Sequence, residues 1–296
     1  MIKVILRGGL GSQMFQYACG KSLSLETKQE LTLDTTFLRT RPPFPNFSAR
    51  NYELDMFGLS ERVLSFSENV FVGKYLGYLA FRITKLFCGS DYVLEPFEKQ
   101  YVYSPELFNV GRGNLTIEGY WTSHKYFKEY EKEIRAVFDT TKLYDGKYST
   151  IEKQILNSNA VAINIRRGDY LNKVNANLFT YLGEAYYKSA VDIIREKVEN
   201  PKFFVFSYDD PEWIRSVLDF KSDELVIVDK EYVGDRFRTY LRLMSLCKHN
   251  IISNSTFAFW GAWLDNSPNK CVVCPTSWVK GKEFDIPHGW NSISNE

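Results

Sequence analysis

Two adjacent arginines, Arg166 and Arg167, close the apolar run Val161-Ala-Ile-Asn-Ile165 and are followed by Gly168 and Asp169. A guanidinium stays charged and forks onto phosphate oxygens, so paired arginines at a strand tip suit a pyrophosphate. Asp169 either orients one of them or meets the substrate itself; the competing reading is a surface ion pair between Arg167 and Asp169. A second apolar run, Asn250-Ile-Ile252, ends in Ser253, Asn254, Ser255 and Thr256, and an aromatic helix starts at Phe257. Short polar side chains at a helix N-terminus suit phosphate oxygens, although the same residues also serve as plain caps. A third run, Phe203-Phe-Val-Phe206, leads to Asp209 and Asp210 ahead of Pro211. A carboxylate there accepts the N–H donors of a base such as guanine, or caps the next helix.

The first glycine turn, Arg7-Gly-Gly-Leu-Gly-Ser-Gln13, offers Gly9, Gly11, Ser12 and Gln13 to a ligand, because glycine lets backbone approach closely and the following helix presents open N–H groups. A tight turn that serves packing alone is the alternative. Gly9-x-Gly11 and Asp34, about twenty residues on, also raise a nicotinamide-dependent oxidoreductase. Met14 stands where the third glycine of that fingerprint belongs, and that reading leaves Arg166, Arg167 and Ser253–Phe257 without a role. No D-x-D pair is present at Asp209 and Asp210, histidines number three, and Cys271-x-x-Cys274 has no second cysteine pair. The expectation is therefore no metal and no cofactor, with arginine supplying the positive charge an ion would bring.

These residues need strands to deliver them. Strand-like runs at Lys3–Arg7, Glu30–Asp34, Asn114–Gly119, Ala160–Arg166, Lys202–Ser207, Glu224–Val228, His249–Ser253 and Lys270–Pro275 alternate with helical stretches such as Gly183–Val198, Asp210–Asp219 and Asp235–Cys247. That alternation predicts an α/β fold with parallel sheets and crossover helices. At roughly 100–200 residues per domain, the length favours two domains with a cleft available between them. The division is expected near residue 150, in the polar stretch Thr140–Ser149, giving domains 1–150 and 151–296.

Lys+Arg (37) nearly balances Asp+Glu (36), which removes any global field toward nucleic acid. Five scattered cysteines point to a reducing compartment, and the start Met1-Ile-Lys-Val-Ile-Leu6 reads as a strand rather than an export signal, so the cytoplasm is expected. Residues 70–87 gather Lys74, Arg82 and Lys85 on one helical edge. They read either as a helix packed in the first domain or as a peripheral contact with the inner face of a membrane.

Taken together, these motifs resemble glycosyltransferase family 11, the α-1,2-fucosyltransferases, over nearly the whole chain. Gly8–Tyr17 resembles the family opening G-G-L-G-N-Q-M-F-Q-Y, and Arg50-Asn-Tyr-Glu-Leu-Asp55 resembles R-x-Y-E-L-D. Gly119-Tyr-Trp121 with Lys125-Tyr-Phe127 resembles G-Y-W-Q-S-x-K-Y-F, and Leu246 through Trp263 resembles C-K-H-N-I-I-A-N-S-T-F-S-W-W-G-A-W. The resemblance implies the GT-B arrangement of two facing Rossmann-like domains, the second holding GDP-fucose and the first a galactose-containing acceptor glycan. It further implies inversion at the anomeric carbon. The wider fucosyltransferase group shares H-x-R-R-x-D, matched at Arg166, Arg167 and Asp169, which implies that Arg166 stabilises charge growing on the β-phosphate as GDP leaves.

Three positions depart from the pattern: Asn164 for the family histidine, Ser12 for the asparagine of the first loop, and Phe259 for one tryptophan. Asn164 and Ser12 keep hydrogen-bonding capacity with a changed donor pattern, which also raises an inactive sugar-binding relative. Asp34, Glu26 and Asp169 are the acids that geometry would have to test as a general base. Tyr120, Trp121, Tyr126 and Phe127 are expected either to stack on the acceptor sugar or to pack in the core.

Overall fold

The computed structural model describes residues 1–40, 50–64, 91–109, 113–167, 179–207, 212–221 and 223–295. The described chain divides into two compact units, Met1–Val137 and Phe138–Glu296.

In the first unit, five parallel strands form one sheet: β1 (Ile2–Ile5), β2 (Leu31–Asp34), β3 (Arg62–Leu64), β4 (Asp91–Leu94) and β5 (Leu115–Glu118), in the order β3-β2-β1-β5-β4. β1, β2 and β5 are largely buried although Lys3, Thr32, Asp34, Thr116 and Glu118 alternate with their apolar residues. β3 and β4 lie at the edges with exposed side chains, and a short half-solvated strand leaves little hydrophobic pattern to read. Helix α1 (Leu10–Thr27) lies close against β1, since a Cβ on Gly20 would stand 2.3 Å from Val4 Cγ2. Helix α2 (Thr36–Thr40) is capped by Asp34, whose Oδ1 accepts the Thr36 N–H at 2.9 Å, and α3 (Glu131–Val137) closes the unit. Because β2 and β3 lie on one side of β1 while β5 and β4 lie on the other, the strand order reverses between β1 and β5. That reversal is where open α/β sheets bind ligands, outside the carboxyl ends of the strands.

The second unit begins with α4 (Ser149–Leu156) and builds a six-stranded sheet from β6 (Asn159–Asn164), β7 (Pro201–Phe206), β8 (Leu225–Val228), β9 (His249–Ile251), β10 (Val272–Pro275) and, after the antiparallel pair β11 (Ser277–Val279) and β12 (Lys282–Glu283), β13 (Asn291–Ile293). The order β13-β10-β9-β6-β7-β8 is parallel throughout and reverses between β6 and β9. Numbered within the unit, it is the 3-2-1-4-5-6 order of dinucleotide-binding sheets. Helix α5 (Glu184–Lys197) covers one face through Tyr186, Tyr187, Ala190, Val191 and Ile194, against Val161 and Ile163 of β6 and Phe203 and Val205 of β7. The short α6 (Trp213–Val217) extends that layer. Helix α7 (Arg238–Leu246) belongs to the opposite face, where Tyr240 sets its ring edge-on to Phe206 at 5.4 Å. Next to it runs α8 (Thr256–Leu264), apolar around most of its surface and buried accordingly. Gly261 lets the two helices meet, as a Cβ there would lie 2.9 Å from Met244 Cβ.

The division falls at Val137/Phe138 rather than near residue 150. Polar composition around Thr140–Ser149 suggested a linker, yet this stretch is tied to the second unit. Phe138 packs on Trp260 (5.1 Å), and Arg242 of α7 reaches Glu152 of α4 (2.5 Å) and the Thr140 carbonyl (3.0 Å).

The four described cysteines are buried free thiols, and burial pushes Cys274 up to about 12. No helix among the described residues is long and apolar enough to cross a membrane, and residues 70–87 lie outside the description.

Candidate functional site

The strand reversal of the second sheet sits between the last residue of β6, Asn164, and the residues following β9. Ser253 Oγ donates to Asn164 Oδ1 at 2.6 Å, a buried bond across 89 residues of chain. Two tyrosines of α5 fix the backbone beneath it: the Tyr187 hydroxyl donates to the Asn164 carbonyl (3.0 Å) and the Tyr186 hydroxyl to the Ile252 carbonyl (2.5 Å). Burial raises the Tyr186 phenol far above its ordinary value, which keeps it a donor. Sequence reading missed this pair; the Tyr-Tyr dipeptide on the apolar face of a predicted helix was the available signal.

Ser255 is the N-cap of α8, with extended backbone at φ −130 and ψ 127, and its N–H donates to the Ser253 carbonyl at 2.8 Å. Ser255 is 3% exposed, its side chain makes no capping bond, and no acid stands in the first turn. Asn164 is 8% exposed, and its Nδ2 donates to nothing among the described residues. The Ser253–Asn164 bond thus joins an amide-bearing strand tip to the chain leading into a nine-residue helix with no acid in its first turn. That combination suits an anion with several oxygens.

Arg166 and Arg167 follow the end of β6 at Asn164. Side chains of consecutive residues in extended chain point to opposite faces. Val161, Ile163 and Ile165 belong to the α5 face, and Arg167 continues it: its Nη1 donates to the Tyr181 hydroxyl at 2.8 Å while the guanidinium lies 4.1 Å from the Trp213 ring centre. Arg166 is half-buried. Arg167 is thus held on an aromatic shelf beside the tip of β6.

Asn254 is buried and engaged with backbone. Its Nδ2 donates to the carbonyls of Thr180 (2.8 Å) and Trp278 (3.1 Å), which ties the chain after β9 to neighbouring segments. Thr256 and Phe257 are half-buried in the first turn of α8, where Phe257 meets Phe237 edge-on at 6.1 Å. Phe237 itself is left-handed at φ +63, directly after Arg236 at φ +51, a strained turn at the head of α7 that sequence reading did not single out. Asp169, Asp209 and Asp210 lie outside the described residues.

In the first unit, Gly8 is left-handed at φ +75 and Gly9 is the N-cap of α1, with its Cα facing Arg50 (a Cβ would lie 3.7 Å from Nε). Gly11 is buried and Ser12 half-buried in the first turn. Gln13 is engaged within the protein. Fully buried, it donates to the carbonyls of Gly8 (2.9 Å) and Asn51 (2.8 Å) and accepts the Glu53 N–H (3.0 Å), so it ties the glycine turn to the Arg50–Asp55 motif. Gln16 clamps Arg7 in the same way, through both backbone groups. The Asp34 carboxylate, which a ribose would need, caps α2.

The glycosyl transferase family 11 model matches residues 1–290. The chain belongs to this family. Among family relatives, the alpha-1,2-colitosyltransferase of Escherichia coli is 30% identical over 298 residues, covering 97% of both chains. Galactoside alpha-(1,2)-fucosyltransferase 1 of Lagothrix lagotricha is 27% identical over 169 residues, which is 54% of this chain and 46% of that one. A solved structure of a mutant Arabidopsis thaliana FUT1 in complex with GDP superposes with a TM-score of 0.51 at 10% identity, covering 92% of this chain and 69% of that one. The family 11 chain thus has the mainly parallel α/β fold of GT-B enzymes, and its class is glycosyltransferase.

Proposed function

We propose that this family 11 enzyme transfers L-fucose from GDP-fucose to the 2-hydroxyl of a galactoside, with inversion and without a metal. One observation carries the reading: the Ser253–Asn164 bond across the strand reversal joins the tip of β6 to the segment that leads, through the N-cap Ser255, into the N-terminus of α8. In that reading Asn164, Ser255 and the helix N–H groups cradle the diphosphate, and Arg166 at the tip of β6 meets the β-phosphate. In the transfer, the acceptor oxygen bonds to the anomeric carbon as the bond from that carbon to the phosphate oxygen breaks. The electron pair goes to the departing GDP, and the acceptor hydroxyl releases its proton. Charge grows on the β-phosphate during this step, so a guanidinium there lowers the barrier rather than merely tightening binding. Hydroxyl, amide and guanidinium donors suit an anion, not a divalent cation, which supports metal independence.

A second donor has its own support, the full-length similarity to a colitosyltransferase. Colitose is fucose without its 3-hydroxyl, so the two readings differ by one polar group. A site that hydrogen-bonds that hydroxyl rejects the deoxy sugar by about 10⁴-fold, whereas one that leaves it in solvent or against apolar groups discriminates only weakly.

The test is kcat/KM for GDP-fucose and GDP-colitose against a panel of galactosides, with linkage assigned by NMR. Preference for GDP-fucose with α-1,2 product upholds the proposal; preference for GDP-colitose moves it to the second reading, and transfer from neither overturns both. We expect full activity in excess EDTA. Strong inhibition that manganese reverses would contradict metal independence.

A further inference from the structure

The strand reversal of the first sheet carries a second built feature. Glu95, directly after β4, is buried, and its Oε2 accepts the Tyr120 N–H (2.6 Å) while its Oε1 accepts the Trp121 N–H (3.1 Å). Gly119 makes room for this carboxylate, since a Cβ there would lie 2.4 Å from Glu95 Cβ and 2.8 Å from Oε2. The turn holds Trp121 at φ +51, a conformation that costs a bulky residue roughly 1–3 kcal/mol. Strain of this kind persists where the surroundings over-determine it, and it gathers at ligand sites.

The aromatics of this turn divide by burial. Trp121, Tyr126 and Phe127 are core side chains, with Trp121 edge-on to Tyr126 at 5.8 Å. Tyr120 alone among the four stays half-buried, beside Gly8 and with the Arg7 guanidinium 5.9 Å from its ring centre. Arg7 in turn pairs with Glu118, the last residue of β5, which also accepts the Tyr92 hydroxyl. Two polar atoms of the turn, Trp121 Nε1 and Thr122 Oγ1, belong to residues 2% and 1% exposed and have no partner among the described residues. Native proteins leave such atoms open chiefly where a ligand or water completes them.

An aromatic face beside a guanidinium fits a pyranose, whose C–H face packs on the ring while its hydroxyls bond the charged group. We propose that Glu95 is a positioning residue that locks the Gly119–Trp121 turn, so that Tyr120 and Arg7 form the subsite for the acceptor galactoside. The proposal rests on the glycosyltransferase reading above and adds where the acceptor binds.

The probes are lactose as acceptor and GDP-fucose as donor. Glu95→Gln leaves one carbonyl oxygen and sets an amide against the second N–H. Tyr120→Ala tests the same claim at a half-buried position without disturbing the carboxylate, and Tyr120→Phe keeps the ring. Glu95→Gln and Tyr120→Ala are expected to raise KM for lactose about 10-fold and KM for GDP-fucose less than about 2-fold, with Tyr120→Phe close to wild type. An unchanged lactose KM in Tyr120→Ala, or an equal rise in both constants, overturns the subsite. If wild type makes no product from GDP-fucose, the donor reading fails by itself and saturation-transfer NMR with lactose decides the subsite. Signal in wild type that Tyr120→Ala loses upholds it; no wild-type signal, or signal that survives in Tyr120→Ala, overturns it.

Discussion

Arg166→Ala is expected to lower kcat by about 100-fold or more, close to 2.7 kcal/mol of transition-state stabilisation, with a much smaller rise in KM for GDP-fucose. The asymmetry follows from when the charge appears. In the proposed complex a ground-state diphosphate ester spreads its charge over oxygens at the α8 N-terminus, whereas the extra charge of the leaving group develops on the side proposed for Arg166. Arg166→Lys should recover part of the loss, because an ammonium keeps the charge but not the fork. Arg167→Ala makes the contrast: its guanidinium is engaged with Tyr181 and Trp213, so its loss should act on local stability more than on kcat. Near-normal kcat in a folded Arg166→Ala protein, or an equal loss from Arg167→Ala, would remove the single-arginine mechanism.

That contrast was hidden in the linear sequence for a simple reason. Arg-Arg reads as doubled charge, and the contacts of Arg167 with Tyr181 and Trp213 come from distant segments that the local pattern does not show. All eight strand runs read from the sequence are strands, because each carries apolar residues either in a continuous run or in strict alternation, which stands out from the period of amphipathic helices. The missed strands are short or exposed: Arg62–Leu64 and Asp91–Leu94 at the edges of one sheet, Asn291–Ile293 at the edge of the other, and the small pair formed by Ser277–Val279 and Lys282–Glu283. Residues that act through backbone contacts were harder still to read. Gln13 and Asn254 look like ligand donors by type, yet each turns its amide onto main-chain carbonyls. Glu95 has no motif around it and acquires its role only when Gly119 admits its carboxylate beneath the Tyr120 and Trp121 N–H groups.

The α8 N-terminus allows a test in which fold and ligand respond in opposite directions. Asp is among the best N-cap residues, since its carboxylate accepts the N–H groups two and three positions on, here Phe257 and Ala258, and its charge favours the positive helix end. Ser255 leaves that capping bond unmade, so Ser255→Asp should preserve the melting temperature or raise it. The same carboxylate would stand where the diphosphate is proposed to bind. Two like charges about 4 Å apart repel by about 4 kcal/mol at an effective dielectric constant of 20, and residual solvent reduces this, so GDP affinity should fall by about 100-fold or more. Ser255→Ala removes one hydroxyl donor and adds no charge, and should weaken GDP binding by about 10-fold at most. Calorimetric titration with GDP, read beside thermal unfolding, separates the outcomes. Weak binding in a protein as stable as wild type assigns the helix end to the nucleotide, because a folding defect cannot produce that combination. Binding of GDP to Ser255→Asp within threefold of wild type would place the diphosphate elsewhere, and the role given to Asn164 and Ser253 would go with it.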